Sequence, residues 1–242
     1  MTAPSASLFD NYCDDYDAAC QQGLALTGEA RDYFARRRIE LTADWLRALD
    51  AGPVTRLLDF GCGTGDSAAV LLEHFPLARL VGVDVSGRAI ERAVRNHGQH
   101  RARFARVDEV RELPAQDLVY TNGVFHHIAP AERPAAARRL LQWLRPGGWL
   151  ALWENNPWNP GTRLVMRRIP FDRDARPVDA VAGRRLLCAA GLRVVGVRFC
   201  FCFPRVLARL RWLETYLMHL PLGAQYCLLA RRPRTPIQPA PV

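Results

Sequence analysis

The stretch Val54–Leu71, VTRLLDFGCGTGDSAAVL, decides the fold of this chain. Val54 to Phe60 is largely apolar and strand-like around Asp59. Gly61-Cys62-Gly63-Thr64-Gly65 then breaks the strand, and a helix-like run begins at Asp66 or Ser67. The glycines lack a Cβ, so the backbone can take positive φ and a ligand can lie against the main chain. The next strand-like run, RLVGVDVS, carries Asp84 at its end, 23 residues beyond Gly61. An acidic side chain at that distance from a glycine loop is placed to meet a ribose diol.

Two cofactors suit such a loop, and the flanking charges separate them. A dinucleotide site has Gly-x-Gly-x-x-Gly and sets a pyrophosphate on the helix N-terminus, where backbone N–H groups favour an anion. Here the spacing is Gly-x-Gly-x-Gly, with Asp59 before the loop and Asp66 after it. Two carboxylates repel a pyrophosphate but complement the sulfonium and ammonium of S-adenosylmethionine, which carries no phosphate. The loop therefore reads as a site for S-adenosylmethionine, with S-adenosylhomocysteine as the product of its use.

Four segments extend this reading: DFGCGTGDSA, VGVDVS, DLVYTNGVFHHI and LRPGGWLALWE, in that order between residues 54 and 155. Together they resemble the successive motifs of class I S-adenosylmethionine-dependent methyltransferases, in particular the type 11/12 subgroup similar to ubiquinone and menaquinone methyltransferases. The resemblance implies that Gly61, Cys62, Gly63 and Gly65 line the methionine moiety. It implies that Asp59 supports the loop or the ammonium, that Asp84 accepts from the ribose hydroxyls, and that Val85 packs on adenine. Asp108 or Glu109 would take the adenine amine, and the backbone at Asn122 and Gly123 would face the methionine part. The lead-in FDNYCDDYD is similar to one found in many of these enzymes, so Tyr12 and Tyr16, spaced to share a helix face, would close over the cofactor. Arg36, Arg37 or Arg38 would meet its carboxylate.

Alternation of strands and helices predicts a Rossmann-like α/β fold. The expected strands are 54–60, 79–84, 103–108, 117–122 and 149–155, in a mainly parallel sheet covered on both faces. LRVVGVRFCFCF and AQYCLLARR are strands six and seven, the last running antiparallel in this family. Expected helices cover 9–23, 29–50, 67–74, 87–96, 134–144 and 178–190. A single methyltransferase domain over 1–231 follows, with 1–50 as a helical cover and the proline-rich residues 232–242 as a disordered tail. Ligands of such sheets bind beyond the carboxyl ends of the strands, which places Asp59, Asp84, Asp108, Asn122 and Glu154 along one rim.

The acceptor side is less determined. His126 and His127 follow strand four, and either is able to deprotonate a hydroxyl near neutral pH. With Glu154 they form the candidate catalytic set, and a structural role for the pair stands beside that reading. Asn155, at the end of strand five, and Asn156, Trp158 and Arg163, in the loop 156–177, are candidate substrate contacts. Between the last two strands lies an insertion at 204–223, where Val206, Leu210, Leu213, Leu217 and Leu220 recur at helical spacing. That periodicity predicts a helix, either packed on its own domain or acting as a substrate cover or membrane-surface element.

The chain carries a formal charge of +9 over 242 residues, and all 33 basic residues are Arg. They are scattered rather than striped, which argues against nucleic acid as a partner. Seven Cys form no CxxC pair and no Cys/His set at zinc spacing, so neither a metal nor a disulfide framework is expected. No leader-like start or long apolar run is present, so the chain reads as cytoplasmic, with peripheral membrane contact through 204–223 left open. The expected function is methyl transfer to a small-molecule or lipid-like acceptor, preferably at oxygen. The alternatives are carbon methylation of a quinone-like ring and a non-catalytic, cofactor-binding scaffold.

Overall fold

The computed structural model describes residues 23–98, 101–172 and 175–234. Tyr12, Tyr16, almost all of the helix expected over 9–23 and most of the 232–242 tail fall outside that range.

Seven strands form one sheet: β1 (Arg56–Phe60), β2 (Arg79–Asp84), β3 (Ala102–Arg106), β4 (Gln116–Asn122), β5 (Leu144–Asn155), β6 (Arg193–Cys200) and β7 (Gln225–Arg231). Their order is β3-β2-β1-β4-β5-β7-β6. The first five run parallel, and β7 lies antiparallel between β5 and β6. The strand order reverses between β1 and β4, and the ends of these two strands flank the crevice where such sheets bind ligands.

Side chains alternate between the faces of the sheet, and each face has its own core. On one face Leu57, Leu80, Leu118, Tyr120, Trp153 and Leu229 pack with Ile39, Ala43, Trp45 and Leu46 of helix α1 (Arg31–Ala48) and with Ala68 and Leu71 of α2 (Ala68–His74). On the other, Leu58, Val83, Val119, Leu152, Tyr226 and Leu228 meet helices α4 (Arg133–Trp143) and α6 (Ala180–Ala189). Helix α3 (Gly87–His97) covers β2 and β3. Its start is fixed by Ser86, whose Oγ accepts the Ala89 N–H at 3.1 Å. Helix α5 (Pro160–Arg168) begins the same way, with Asn159 accepting the Thr162 N–H.

Four expectations need correction. β3 ends at Arg106, so Asp108 lies beyond the strand in an exposed turn. β5 begins at Leu144 rather than at residue 149, so Pro146–Gly148 are not outside it. They belong to its irregular start, where Gly147 has φ +80° and the register against β4 shifts. β6 stops at Cys200 and does not reach Phe203. The insertion is not a regular α-helix: Arg205–Leu213 is 3-10, kinked at Leu207, and only Glu214–Leu217 (α7) is α-helical. Val206, Leu210 and Leu220 are exposed, so the apolar repeat does not form a packed stripe on its own domain.

Candidate active site

Two cavities open at the carboxyl end of the sheet. The smaller, about 190 Å³, is lined by Asp59, Gly61, Cys62, Gly63, Thr64, Asp84, Val85 and Ser86. The larger, about 1190 Å³, lies under the start of α1 and the loops after β5 and β6. Arg31, Ser67, Asn122, Gly123 and His127 line both, so the two spaces meet at the end of β4.

The glycines have distinct jobs. Gly61, at φ +78°, is pressed so closely that a Cβ would stand 2.2 Å from Val124 Cγ2. Gly63, at φ +52°, would meet nothing within 4 Å, and its N–H donates to Asp84 Oδ2 at 2.8 Å. Gly65, at φ +82°, faces Ala93 and Phe104 and serves helix-to-sheet packing; it does not line the smaller cavity. Asp84 also accepts the Ser86 N–H through Oδ1 at 3.0 Å, so one carboxylate ties the glycine loop to the start of α3.

Asp59 is buried, and no cation pairs with it among the described residues. Burial, reinforced by nearby Asp84, pushes its carboxyl up to about 7. A buried carboxylate without a cation, beside a main-chain cradle that a Cβ would occupy, fits a cationic ligand and disfavours a pyrophosphate. Asp66 does not share this role, because Arg31 pairs with it at 3.0 Å and Thr64 donates to it at 2.6 Å. Asp108 is held by Arg106 at 2.7 Å and faces solvent, and Glu109 is exposed beside it. Neither lines the cavity; Val107, Val124 and Ile128 do. Sequence reasoning passed over these apolar walls because no motif marks them.

On the acceptor side the histidines are brought together with a residue from a distant loop. His126 Nδ1 lies 2.6 Å from Glu154 Oε2, and Glu154 Oε1 accepts the Phe125 N–H at 2.7 Å. Asp172, from the short 3-10 turn Pro170–Asp172, places Oδ1 at 3.5 Å from His126 Nε2 and 3.3 Å from His127 Nε2. Burial lowers the His126 pKa, but Glu154 and Asp172 outweigh it and raise that imidazole to about 10. At His127, by contrast, burial outweighs the pull of Asp172 and leaves the pKa lowered. For Asp172 the penalty of burial is overcome by the two imidazoles, which hold it down at about 2.

Of the candidate substrate contacts, Asn155 lines the larger cavity, whereas Asn156, Trp158 and Arg163 do not. Asn156 is buried, and its amide donates to the carbonyls of Pro221 and Gly223, clamping the end of the insertion. Trp158 stacks near Phe199, with ring centroids 6.2 Å apart, and Arg163 points to solvent.

The three candidate arginines part company. Arg36 pairs with Glu73 and Arg37 with Glu40 at the surface. Arg38 turns inward to line the larger cavity, only 7% exposed. Its Nη1 donates to Gln225 Oε1 at 2.9 Å, and the Tyr120 phenol lies against it. Its Nε has no partner, and no carboxylate pairs with it among the described residues.

This arrangement, a glycine loop after β1, an acidic β2 end and a final antiparallel strand, is that of the Rossmann-like fold of class I S-adenosylmethionine-dependent methyltransferases. Residues 58–150 match the family model of a methyltransferase domain. Over those residues the chain is similar to the type 11/12 kind of that class, and the match supports a methyltransferase domain that uses S-adenosylmethionine. Among curated relatives, trans-aconitate 2-methyltransferase of Azoarcus sp. (strain BH72) is 31% identical over 159 residues, 65% of this chain and 61% of the relative. The chain thus spans about three fifths of that relative's length. The structure of human N-acetylserotonin methyltransferase in complex with its methyl donor superposes with a TM-score of 0.63 at 18% identity, covering 96% of this chain and 60% of that one. The [4+2]-cyclase SpnF shares the fold too, with a TM-score of 0.57 at 23% identity over 83% of this chain and 81% of its own. The fold alone therefore does not name the reaction.

Proposed function

We propose that this protein transfers the methyl group of S-adenosylmethionine to an oxygen of a carboxylated small molecule or amphiphile bound in the larger cavity. The observation that carries the reading is Arg38. A buried guanidinium with an unpartnered Nε and no carboxylate beside it calls for an anion, because an unpaired charge in such a place is costly. Arg is also the side chain best shaped for a planar carboxylate. The name of the Azoarcus relative supports the reading, since trans-aconitate is a carboxylic acid. Leu24, Phe34, Val165, Met166, Ile169, Phe201 and Phe203 around the same space leave room for an apolar remainder of the acceptor.

When bound, the donor supplies a sulfonium methyl group already activated for in-line displacement. The protein's task is then alignment and exclusion of water. Asp59 and Asp84 face the donor cavity, and Arg38, Gln225 and Asn155 form a bonded row in the acceptor cavity, with Gln225 Nε2 donating to Asn155 Oδ1 at 3.0 Å. Asn122, Gly123 and His127 stand where the two meet. A carboxylate oxygen is nucleophilic without losing a proton, so no base is required. Glu154 and His126 are then positioning residues that fix the turn after β4. For a hydroxyl acceptor His127, the less buried imidazole, would take the proton when no ion holds its Nε2.

The insertion adds a second element to this reading. Val206, Trp212 and Tyr216 are 87%, 63% and 73% exposed beside Arg205 and Arg209, a composition suited to the surface of an anionic membrane. Phe203, Pro204 and Arg211 of the same segment line the acceptor cavity, so contact there would deliver an amphiphilic acceptor. Among the described residues no helix is long and apolar enough to cross a membrane.

The deciding experiment is transfer of labelled methyl groups to a panel of mono-, di- and tricarboxylates and acyl chains, followed by mild base. A methyl ester releases labelled methanol, whereas an ether or a carbon-bound methyl group does not. Label that survives base would overturn the carboxylate reading, and an absence of label in every acceptor would favour a non-catalytic scaffold.

A further inference from the structure

The unusual grouping in this molecule is His126, His127 and Asp172, whose ligating atoms all lie within 4.8 Å of one another in the wall of the larger cavity. We infer that these three side chains bind one divalent first-row metal ion, such as zinc, manganese, iron(II) or cobalt, through two imidazole Nε2 atoms and one carboxylate oxygen.

The distances support coordination over a simple hydrogen-bond network. A sound N–H···O bond peaks near 2.9 to 3.0 Å. The contact of His126 Nδ1 with Glu154 is shorter than that, at 2.6 Å, as a charge-assisted bond is. The two contacts of Asp172 Oδ1 are longer, at 3.5 Å to His126 Nε2 and 3.3 Å to His127 Nε2. Two donor atoms that each sit about 2.0 to 2.2 Å from one ion stand roughly 3.0 to 3.5 Å apart. The two Asp172 contacts have the spacing of ligands on a common ion, and the three ligating atoms lie within 4.8 Å of one another.

The surroundings have the second feature of a metal site. A ligating imidazole usually gives its other ring nitrogen to a carboxylate, which fixes ring and tautomer. His126 does so with Glu154, and Glu154 is itself fixed by the Phe125 N–H. The loop that carries Asp172 is tied to the same turn, since Arg176 N–H donates to the His126 carbonyl at 2.9 Å and Arg133, whose Nε donates to the Ile128 carbonyl at 3.0 Å, donates through Nη2 to the Arg176 carbonyl. Two imidazoles and one carboxylate suit the metals named above, and three protein ligands leave positions for outside oxygen atoms. All three residues border the acceptor cavity, so those positions would take an oxygen-bearing acceptor. Binding of the ion does not depend on the carboxylate reading of Arg38.

The test is calorimetric and spectroscopic titration of chelator-treated, full-length protein with Co²⁺ alone, without donor or acceptor. One ion per chain should bind at micromolar concentration or tighter, with visible ligand-field bands and no thiolate charge-transfer band. Asp172→Asn and His127→Gln should each weaken binding at least a hundredfold, and Glu154→Gln ten- to a hundredfold. Melting of the metal-free variants checks that they fold; if one does not, uptake and spectrum of the unaltered protein decide. No stoichiometric uptake, a thiolate spectrum, or equal binding by folded Asp172→Asn and His127→Gln would overturn the inference.

Discussion

Arg38 Nη1 donates to Gln225 Oε1 at 2.9 Å, across 187 positions of sequence, while the Nε of the same buried guanidinium is left without a partner. α1 and β7 thus present an unsatisfied cation to the acceptor cavity. Replacement by a neutral side chain removes a charge that the fold does not neutralise. Arg38→Met should raise the acceptor KM at least tenfold, leave donor affinity unchanged and leave Tm level or higher. Calorimetry with the donor separates the outcomes: a loss of donor affinity instead would assign Arg38 to the methionine carboxylate.

Asp84 holds the glycine loop through Gly63 and Ser86 and lines the donor cavity. Asp84→Ala should weaken donor binding by about 1 to 3 kcal/mol, the cost of a lost buried acceptor. Unchanged binding would show that the ribose is held elsewhere.

Asp59 should make donor binding depend on pH. Its folded pKa of about 7 lies above the value of about 3.9 expected for an unfolded chain. Ionisation therefore costs the apo protein stability progressively as pH rises between those two values. A cationic donor favours the charged form, so its affinity should climb several-fold from pH 6 to pH 8. Asp59→Asn should flatten that profile; parallel profiles for both proteins would place the titrating group elsewhere.

Asp117, on β4, stabilises the sheet away from the site. Its Oδ2 accepts from the Thr55 N–H and Oγ1 at 2.8 Å and from the Arg56 N–H at 3.0 Å, and its Oδ1 faces Arg145. Asp117→Ala leaves these donors unpaired and should cost about 3 kcal/mol of stability in denaturant melts. Donor affinity of the folded fraction should not move.

The exposed insertion predicts association with vesicles. Full-length protein should float with vesicles rich in anionic lipid, less so at high salt, and Trp212→Ala with Tyr216→Ala should reduce that fraction severalfold. Equal flotation of the double variant would remove the insertion from membrane contact.

Much of the lining of the smaller cavity, the candidate donor site, was legible in the sequence, and the reason is local. Gly61, Gly63, Asp59 and Asp84 occupy adjacent strand ends, so a short pattern carries their geometry. Asp108 misled because β3 ends two residues earlier and Arg106 draws the carboxylate into solvent. Asn156 misled because a buried amide clamps backbone as readily as it binds a ligand. The insertion misled because helical spacing of apolar residues says nothing of whether another surface lies beneath them.

Sequence by itself determined the alternation of strands and helices, the glycine loop and its preference for a cationic, phosphate-free cofactor. These follow from φ, side-chain period and charge within a few residues. Only the tertiary structure decided which of three consecutive arginines turns inward, and that Asp172 meets His126 and His127. Those relations join β4, β7, α1 and a distant loop, and long-range packing sets them, which no local pattern encodes.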